Sequence, residues 1–364
     1  MTNFRRDADM GSHKLFVWAS WIAALVLLNI TSAWLLAELT LSPVVNSLLV
    51  GAQNLPALLS ITPSIGGVYI FVCAAIILEL AVVFFSFQLL PAWILIVLVL
   101  LAAFVAALGF MLSQQSMTGM VLSGGNISNP LLQRSGDIGG FSGTLIGGFV
   151  YPYLKLFPPL LLLIVPPLLM SRRGLKAVLK EVSDRSNPTK MVPPLDRWCL
   201  FQGACNGALF GLLPLWVLTL KQGMPVDFSL IVGAFLLGRV FENRLLPKLS
   251  ATAFYILCAV LVFVAFYPNV PIWLDVIIFV PLGASHSRIE FDLVDYLDAH
   301  GELPLRRDIL WRSSAVGAFV GSLMLGMIGQ GIGISNAMFL VSIIYAFGAL
   351  ITWRWRRHPK MLAG

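Results

Sequence analysis

Long apolar stretches separated by short polar segments dominate this sequence. Residues 92–108, for example, are apolar on every side and show none of the alternation that marks a membrane β-strand. A helix that crosses a bilayer needs roughly 20 apolar residues. The pattern therefore predicts an all-α membrane protein with about 12 transmembrane helices. The predicted spans are 15–39, 44–62, 66–88, 91–113, 137–154, 157–171, 198–220, 226–246, 251–267, 270–290, 306–329 and 332–353.

The predicted spans fall into two groups of six with a polar, basic segment between them. This arrangement predicts an N-terminal half at 1–171, a cytoplasmic connector at 172–197 and a C-terminal half at 198–364. Two spans have the weakest pattern, because 137–154 is rich in glycine and 157–171 is short and contains four prolines.

Composition agrees with this pattern and excludes several classes of protein. Hydrophobic residues make up 58% of the chain and charged residues only 11%, with a mean hydropathy of +0.88. A soluble domain carries about 25% charged residues. The composition thus disfavours a soluble enzyme and a nucleic-acid-binding module, and it excludes disorder, which requires low hydrophobicity.

The positive charges predict the orientation of the chain. Among the 24 Lys and Arg, the predicted outer loops contain only Lys155 and Lys221. Because cytoplasmic loops hold an excess of Lys and Arg, we expect a multi-pass protein of the bacterial cytoplasmic (inner) membrane with both termini cytoplasmic. The alternative interpretation of the basic connector is a patch for nucleic acid or anionic lipid. The connector's positive residues are Arg172, Arg173, Lys176, Lys180, Arg185, Lys190 and Arg197.

Cysteine and histidine give no metal-site pattern. The four cysteines all fall in apolar spans, and their spacing fits no zinc or disulfide framework. Of the four histidines, only His286 is near a predicted span. We therefore expect no metal site and no cofactor.

Residues 38–56, leading to Gly66 and Gly67, form the first motif. Ser42 and Pro43 open a predicted helix, and Pro56 inside the span should kink it. This stretch resembles the first loop and second helix of the enterobactin-exporter-like branch of the major facilitator superfamily. The order of six spans, connector and six spans is also similar to that superfamily. The resemblance implies the major facilitator fold, with substrate bound near the membrane midplane between the two halves.

A glycine series in the fifth predicted span resembles the antiporter motif of the same superfamily, with Thr144 in place of its proline. Three of these glycines share one helix face, so a neighbouring backbone can approach closely, and simple helix packing is the alternative interpretation. The series consists of Gly139, Gly143, Gly147 and Gly148.

The superfamily usually carries a charged cluster between helices two and three as part of its inner gate. Here residues 63–69 carry no charge, which separates this chain from the usual pattern. In the second half, Arg239, Glu242 and Arg244 form a degenerate counterpart, and the resemblance implies a gating role for them.

Three carboxylates are candidates for proton coupling, because ionisable residues within membrane spans are costly and usually functional. Glu38 is near the outer end of the first span, Glu79 lies past the middle of the third, and Asp137 opens the fifth. The alternatives are a solvated outer-end residue for Glu38, a hydrogen bond to a neighbouring helix for Glu79, and a helix-start residue paired with Arg134 for Asp137.

Polar side chains within the spans are candidates for substrate contact. The resemblance implies that helices one, four, seven and ten line a central cavity. For each residue, a hydrogen bond between helices is an equally good interpretation. The candidates are Asn29, Trp34, Gln53, Asn54, Gln202, Asn206, His286 and Arg288.

Together with these residues, the resemblance implies a secondary active transporter that exports a siderophore-like small organic metabolite by proton antiport. The expected partners are a small-molecule substrate, the lipid bilayer and protons, with no nucleic acid, and we expect a monomer that is not an enzyme. One alternative is an importer of ferric siderophore or another organic solute with the same fold. The other is an intramembrane prenyl or lipid transferase, suggested by the aspartate series at 292–298, which has the oxygen ligands that Mg²⁺ prefers.

Overall fold

The computed structural model describes most of the chain as helices. The described residues are 2–59, 66–122, 129–152, 193–247, 249–267, 269–300 and 303–357. All regular elements within these ranges are helical, as the sequence predicts. Seven of the described helices or helix pairs are long and apolar enough to cross a membrane. The chain therefore has the character of a multi-pass membrane protein.

The described part of the N-terminal half begins with a long helix. Its helices are α1 (Thr2–Leu39), α2 (Pro43–Asn54), α3 (Gly67–Ser86), α4 (Ala92–Leu122) and α5 (Asn129–Val150). The C-terminal half contains α6 (Arg197–Gly211), α7 (Leu213–Thr219), α8 (Pro225–Val240), α9 (Glu242–Leu245), α10 (Ala251–Ala265), α11 (Ile272–Tyr296), α12 (Leu303–Ile332) and α13 (Ile334–Arg357).

Several helices extend beyond the predicted apolar spans. The helix α1 begins at Thr2 instead of residue 15, and α5 begins at Asn129 instead of residue 137. At the other end, α11 continues to Tyr296, past the predicted boundary at residue 290. Hydropathy marks where the chain is apolar, whereas the backbone hydrogen bonds of a helix continue through polar residues until a cap or a breaker ends them.

Proline interrupts two of the predicted spans. After Asn54 the helix α2 gives way to a short 3₁₀ turn at Leu55–Leu58 that contains Pro56, so the expected kink is the end of the α-helix. The seventh span is divided into α6 and α7 at Leu212, because Pro214 in the first turn of α7 has no N–H to continue the helical ladder.

Part of the predicted layout lies outside the described residues. The sixth predicted span, 157–171, is among these, as is the predicted connector up to residue 192. The count of about 12 spans and the division of the chain at 172–197 therefore stay predictions.

The chain groups into two compact units. The first consists of Met1–Leu41, Ala52–Val192 and Met224–Gly233, and in it α1 packs on α4 and α5, while α3 packs on α4. The second unit contains the remaining residues, Ser42–Gly51, Pro193–Gly223 and Ala234–Gly364. There α6 packs along α12, and α10 packs on α11 and α13.

Candidate functional site

A buried chain of hydrogen bonds crosses the second unit. The hydroxyl of Tyr255 donates to Oε1 of Gln202 at 2.8 Å, and Nε2 of Gln202 lies 3.0 Å from Nδ1 of His286. Nε2 of His286 is in contact with the hydroxyl of Tyr345. Because the amide nitrogen of Gln202 can only donate, Nδ1 of His286 accepts and Nε2 carries the proton. The contacts thus describe a neutral imidazole that donates to Tyr345.

This network joins four helices, α6, α10, α11 and α13, and all four side chains are buried. It brings together two predicted substrate residues, Gln202 and His286, whose polar atoms bind each other and two tyrosines. Their contact with a substrate stays a prediction. Sequence reasoning missed Tyr255 and Tyr345, although a tyrosine hydroxyl in an apolar span needs a partner when buried, and that is the signal that would have found them.

A bidentate ion pair lies further along α11. Nη1 and Nη2 of Arg239 donate to the two carboxylate oxygens of Glu290 at 2.9 and 2.7 Å. Arg239 belongs to α8 and was expected in a gating cluster, whereas the sequence analysis did not single out Glu290. Two parallel hydrogen bonds between charged groups fix orientation as well as distance. The pair therefore holds α8 and α11 in one register.

The other predicted gating residues are in the short helix α9. The side chain of Glu242 is buried and that of Arg244 is exposed. Arg288, predicted to contact substrate, donates instead to Oδ1 of Asn243 at 2.5 Å. These contacts tie α9 to α11, and the gating role of the cluster stays a prediction.

A second ion pair lies near the start of α11. Nζ of Lys221 is 2.8 Å from Oδ2 of Asp275, whose side chain is completely buried, while that of Lys221 is 11% exposed. The same ammonium donates to the carbonyl of Val270 and lies 4.7 Å from the ring centroid of Trp216. The sequence analysis used Lys221 only as a topology signal and did not note Asp275.

One face of α11 carries all three of these ionisable groups. His286 and Glu290 follow Asp275 by 11 and 15 residues. At about 100° per residue the three side chains lie within about 60° of one another around the helix, and they span about 22 Å along its axis. Between Asp275 and His286 the same face is apolar, with buried Phe279 and Leu282.

In the first unit, both oxygens of Glu38 accept hydrogen bonds. The indole nitrogen of Trp34 donates to Oε1 at 2.9 Å, and the hydroxyl of Tyr151 donates to Oε2 at 3.3 Å. Trp34 and Tyr151 are both buried, and the ring of Trp34 is 6.0 Å from that of Phe228. The structure therefore brings together two predicted site residues and adds Tyr151, which follows the last residue of α5.

Four predicted amide side chains lie at half-buried positions. Nε2 of Gln53 donates to Oδ1 of Asn29 at 3.1 Å, which links α1 and α2. Asn54 is the last residue of α2. In the second unit, Oδ1 of Asn206 is a buried atom with no hydrogen-bond partner among the described residues. Such an oxygen is a candidate acceptor for a polar solute.

The two other candidate carboxylates differ in environment. In α3, Oε2 of Glu79 is buried and receives no hydrogen bond from the described residues. Asp137 is a buried residue of α5. The interpretation of Asp137 as a helix-start residue is wrong, because α5 begins eight residues earlier, at Asn129, and Asp137 lies on its third turn.

Three glycines of the antiporter-like motif pack against α1. A Cβ at Gly139 or Gly143 would overlap the backbone of Ala19 or Ala23. A Cβ at Gly147 would lie 3.1 Å from Cγ2 of Ile30, whereas one at Gly148 would overlap the side chain of Ser229 on α8. These contacts support the helix-packing interpretation. An additional role in antiport stays a prediction.

The same type of packing occurs in the second unit. A Cβ at Gly203 or Gly207 of α6 would overlap the backbone of Ser314 or Ala318 of α12. In return, a Cβ at Gly317 or Gly321 would overlap the backbone of α6. In both units, glycines on one helix face allow two helix backbones to come into contact, and in the second unit both helices contribute such glycines.

The remaining candidate chemistry is limited. The cysteines are free, with Cys73 exposed and the other three buried. Among the described residues, no group of three or more His, Cys, Asp or Glu side chains is arranged to hold a metal ion. Within the aspartate series at 292–298, Asp298 pairs with Arg306 of α12 at 2.5 Å.

Solved structures with the same fold include transporters of three different solutes. A bacterial homologue of the iron transporter ferroportin, in an inward-facing state, aligns with a TM-score of 0.66 and 14% identity over 96% of this chain and 98% of its own. The nucleoside transporter NupG gives 0.61 and 11%, covering 94% and 99%. The xylose transporter XylE from E. coli, in an inward-open conformation, gives 0.60 and 10%, covering 95% and 96%.

At these identities the likeness shows the fold, which agrees with the expected major facilitator architecture. No protein-family model matches the chain, and no curated protein matches it.

Proposed function

We propose that this protein is a secondary active transporter that exports a siderophore-like small organic metabolite by proton antiport. The observation that carries the proposal is the alignment of nearly the whole chain with transporters of iron, nucleosides and xylose. A fold can host unrelated functions, so the chemistry must come from the polar residues of this chain. Export and the siderophore class rest on the sequence motifs at 38–56 and 139–148.

The proposed proton-coupling groups are Glu38, Glu79 and Asp137. Glu38 is held by two neutral donors, Trp34 and Tyr151, which stabilise its carboxylate without neutralising its charge. Binding of a proton removes the need for both donors, so protonation at Glu38 would release Trp34 and Tyr151 for other contacts. Glu79 and Asp137 are the alternatives, since both carry buried oxygens within a helix.

The proposed solute contacts come from half-buried amides. Asn29 and Gln53 bind each other, and Asn206 presents an oxygen with no partner among the described residues. An amide offers both donors and an acceptor, which suits the hydroxyl and carbonyl groups of a catecholate or hydroxamate. Within the second unit, Gln202 and His286 would contact a solute only after leaving their contacts with Tyr255 and Tyr345.

Two experiments test the proposal. Deletion of the gene under iron starvation should raise siderophore within cells and lower it in the medium, and unchanged secretion would contradict export. In inverted vesicles with an imposed proton gradient, the protein should drive uptake of enterobactin into the lumen. Gradient-independent entry, or accumulation of ferric enterobactin in right-side-out vesicles, would favour the importer.

The coupling residues are tested in the same inverted vesicles. Glu38→Gln, Glu79→Gln and Asp137→Asn each replace a carboxylate by an amide of similar shape. Loss of gradient-driven flux in one variant, with protein level unchanged, identifies the coupling group. Normal flux in all three would show that none of these carboxylates couples transport to protons.

A further inference from the structure

The pair formed by Lys221 and Asp275 is not part of the site described so far. It joins the chain just after α7 to the first turn of α11, and both residues belong to the second unit. Elsewhere in this unit the helices are held by glycine packing, by neutral hydrogen bonds and by the ion pair of Arg239 and Glu290, whose side chains both keep some exposed surface, whereas the side chain of Asp275 keeps none. A charged pair is a costly way to hold two helices together, because each ion must first leave water. Its presence therefore points to a role besides packing.

Lys221 has other favourable contacts besides Asp275, whereas the charge of Asp275 is compensated by Lys221. The ammonium of Lys221 has three contacts: the carboxylate of Asp275, the carbonyl of Val270 and the ring of Trp216. Neither oxygen of Asp275 receives a hydrogen bond from another described residue. Lys221 would thus stay anchored if Asp275 became neutral, whereas an ionised Asp275 has no compensation once Lys221 leaves.

Other ionisable groups near the pair are few. Other helices of this unit pack against α11 or against the chain before Lys221. Their parts on the same side of the predicted membrane as the pair are residues 213–222, 258–267 and 320–333. They contain Cys258 and Tyr267 besides Lys221, and the ring of Tyr267 is exposed. On α11 itself, His286 and Glu290 lie 11 and 15 residues further on, and Glu290 is paired with Arg239. Among the described residues of the second unit, Lys221 is therefore the cation that compensates Asp275.

We infer that Asp275 is a proton-binding site of the transport cycle and that Lys221 and Asp275 separate only when Asp275 takes up a proton. This inference rests on the proposed proton coupling and adds a site in the second unit, remote in sequence from Glu38, Glu79 and Asp137. A proton from the predicted outer aqueous phase binds the carboxylate and forms the neutral acid. Lys221 remains an ammonium and keeps its contact with the ring of Trp216, which lies on the short helix α7 that Lys221 follows. Loss of the proton restores the ion pair.

The local backbone is suited to such a separation. Lys221 follows α7, a short helix that is divided from α6 at Leu212 by the missing N–H of Pro214. The end of this predicted span can therefore change its angle without breaking the ladder of α6. Motion of α7 relative to α11 would carry the ammonium away from Asp275. Because a buried, ionised carboxylate without its cation is costly, this motion requires that Asp275 first takes up a proton.

The direct test is infrared difference spectroscopy of the full chain reconstituted in liposomes and perfused from alkaline to acidic buffer, with protons as the only probe. The wild type should gain the carbonyl band of a protonated carboxylic acid, and Asp275→Asn should lose that band. In Lys221→Gln the band should already be present in alkaline buffer, because a bare buried carboxylate takes up a proton. An unchanged band in Asp275→Asn would overturn the inference.

A matched control is the half-buried Asp227, which accepts a hydrogen bond from the backbone N–H of Met224 at 2.7 Å near the start of α8. Asp227→Asn should keep the band that Asp275→Asn removes, and loss of the same band in both variants would overturn the assignment. If Lys221→Gln fails to fold, the double variant Lys221→Gln with Asp275→Asn restores neutrality and should fold without the band. A band in the folded double variant would likewise contradict the inference.

Flux separates this inference from the proposed function. In proteoliposomes, Asp275→Asn should retain exchange of enterobactin at equal concentrations but lose gradient-driven accumulation. Normal gradient-driven accumulation in the variant would contradict a coupling role for Asp275. Absence of any enterobactin flux in the wild type would instead contradict the proposed substrate, while the infrared result would still report on Asp275.

Discussion

Arg239 of α8 and Glu290 of α11 are 51 residues apart in sequence and form two parallel hydrogen bonds, of 2.9 and 2.7 Å. Arg239 is one of the residues for which the resemblance implies a gating role, and Glu290 lies one helical turn beyond His286. The pair links the predicted gate segment to the helix that also carries the buried hydrogen-bond network. A change in either partner should therefore affect the stability of the second unit.

Glu290→Gln and Arg239→Gln should each destabilise the protein, because each leaves one charge without its partner in a largely buried place. The side chain of Arg239 is 12% exposed and that of Glu290 is 22% exposed. We therefore expect the free energy of unfolding to fall by about 2–3 kcal/mol, which is at or below the lower end of the cost of breaking a fully buried pair. Thermal unfolding of the detergent-solubilised protein measures the effect. The double variant should recover part of the loss, and additive losses would show that the pair does not interact energetically. Arg244→Gln, at an exposed position, is the matched control.

Tyr345→Phe should weaken the second unit by leaving the N–H of His286 without its acceptor in a buried place. A buried donor without a partner costs about 1–3 kcal/mol, and Tyr255→Phe should cost a similar amount through Gln202. Thermal unfolding reports both effects, with Tyr69→Phe as a control because the Tyr69 ring is 59% exposed. If all three tyrosine variants unfold alike, the network contributes nothing to stability.

Gly207→Ala should be strongly destabilising, since the added Cβ would overlap the backbone of Ala318. Alanine favours a helix by about 0.8–1.0 kcal/mol over glycine, but overpacking against rigid backbone costs about 1–3 kcal/mol and outweighs that gain. Gly331→Ala, also on α12, is the control, because its added Cβ would meet no atom of another described helix within 4 Å. Equal melting temperatures for the two variants would contradict close contact between α6 and α12.

Tyr151→Phe tests whether the donor to Glu38 matters for transport rather than for folding. Removal of the hydroxyl takes one hydrogen-bond donor from this carboxylate, while the indole of Trp34 keeps its contact. We expect gradient-driven flux of enterobactin in inverted vesicles to fall, with exchange at equal concentrations retained. Gradient-driven flux equal to that of the wild type would mean that Tyr151 does not influence the coupling group. Glu38→Gln should abolish the gradient-driven part of the same flux.

Much of the fold follows from local properties of the chain. Hydropathy is a property of each segment by itself, so the helical class and the described helices were predictable, apart from their polar extensions. A close approach of some neighbouring helix to α5 was also foreseeable, because Gly139 and Gly143 share a helix face, whereas only the structure identifies α1 as that neighbour. The breaks at Pro56 and Pro214 follow from proline chemistry, although only the first was expected.

Pairings between helices were beyond the sequence. The sequence marked Lys221 only as a topology residue and did not single out Asp275, and only their packing makes them a buried ion pair. Gln202 and His286 were chosen as solute contacts, yet two tyrosines from other helices occupy their polar atoms. Apolar residues surround all of these positions, so the local sequence does not specify which helix lies opposite.

The sequence by itself therefore determined where the chain is helical, its predicted orientation in the membrane and which residues are ionisable, because hydropathy, charge and helical period are properties of single segments. Only the tertiary structure decided which partner lies beside each ionisable residue. Asp275, His286 and Glu290 of α11, for example, have partners from three other parts of the second unit. That decision depends on burial and on contacts between residues distant in sequence, and the energy of a buried charge is set by those contacts.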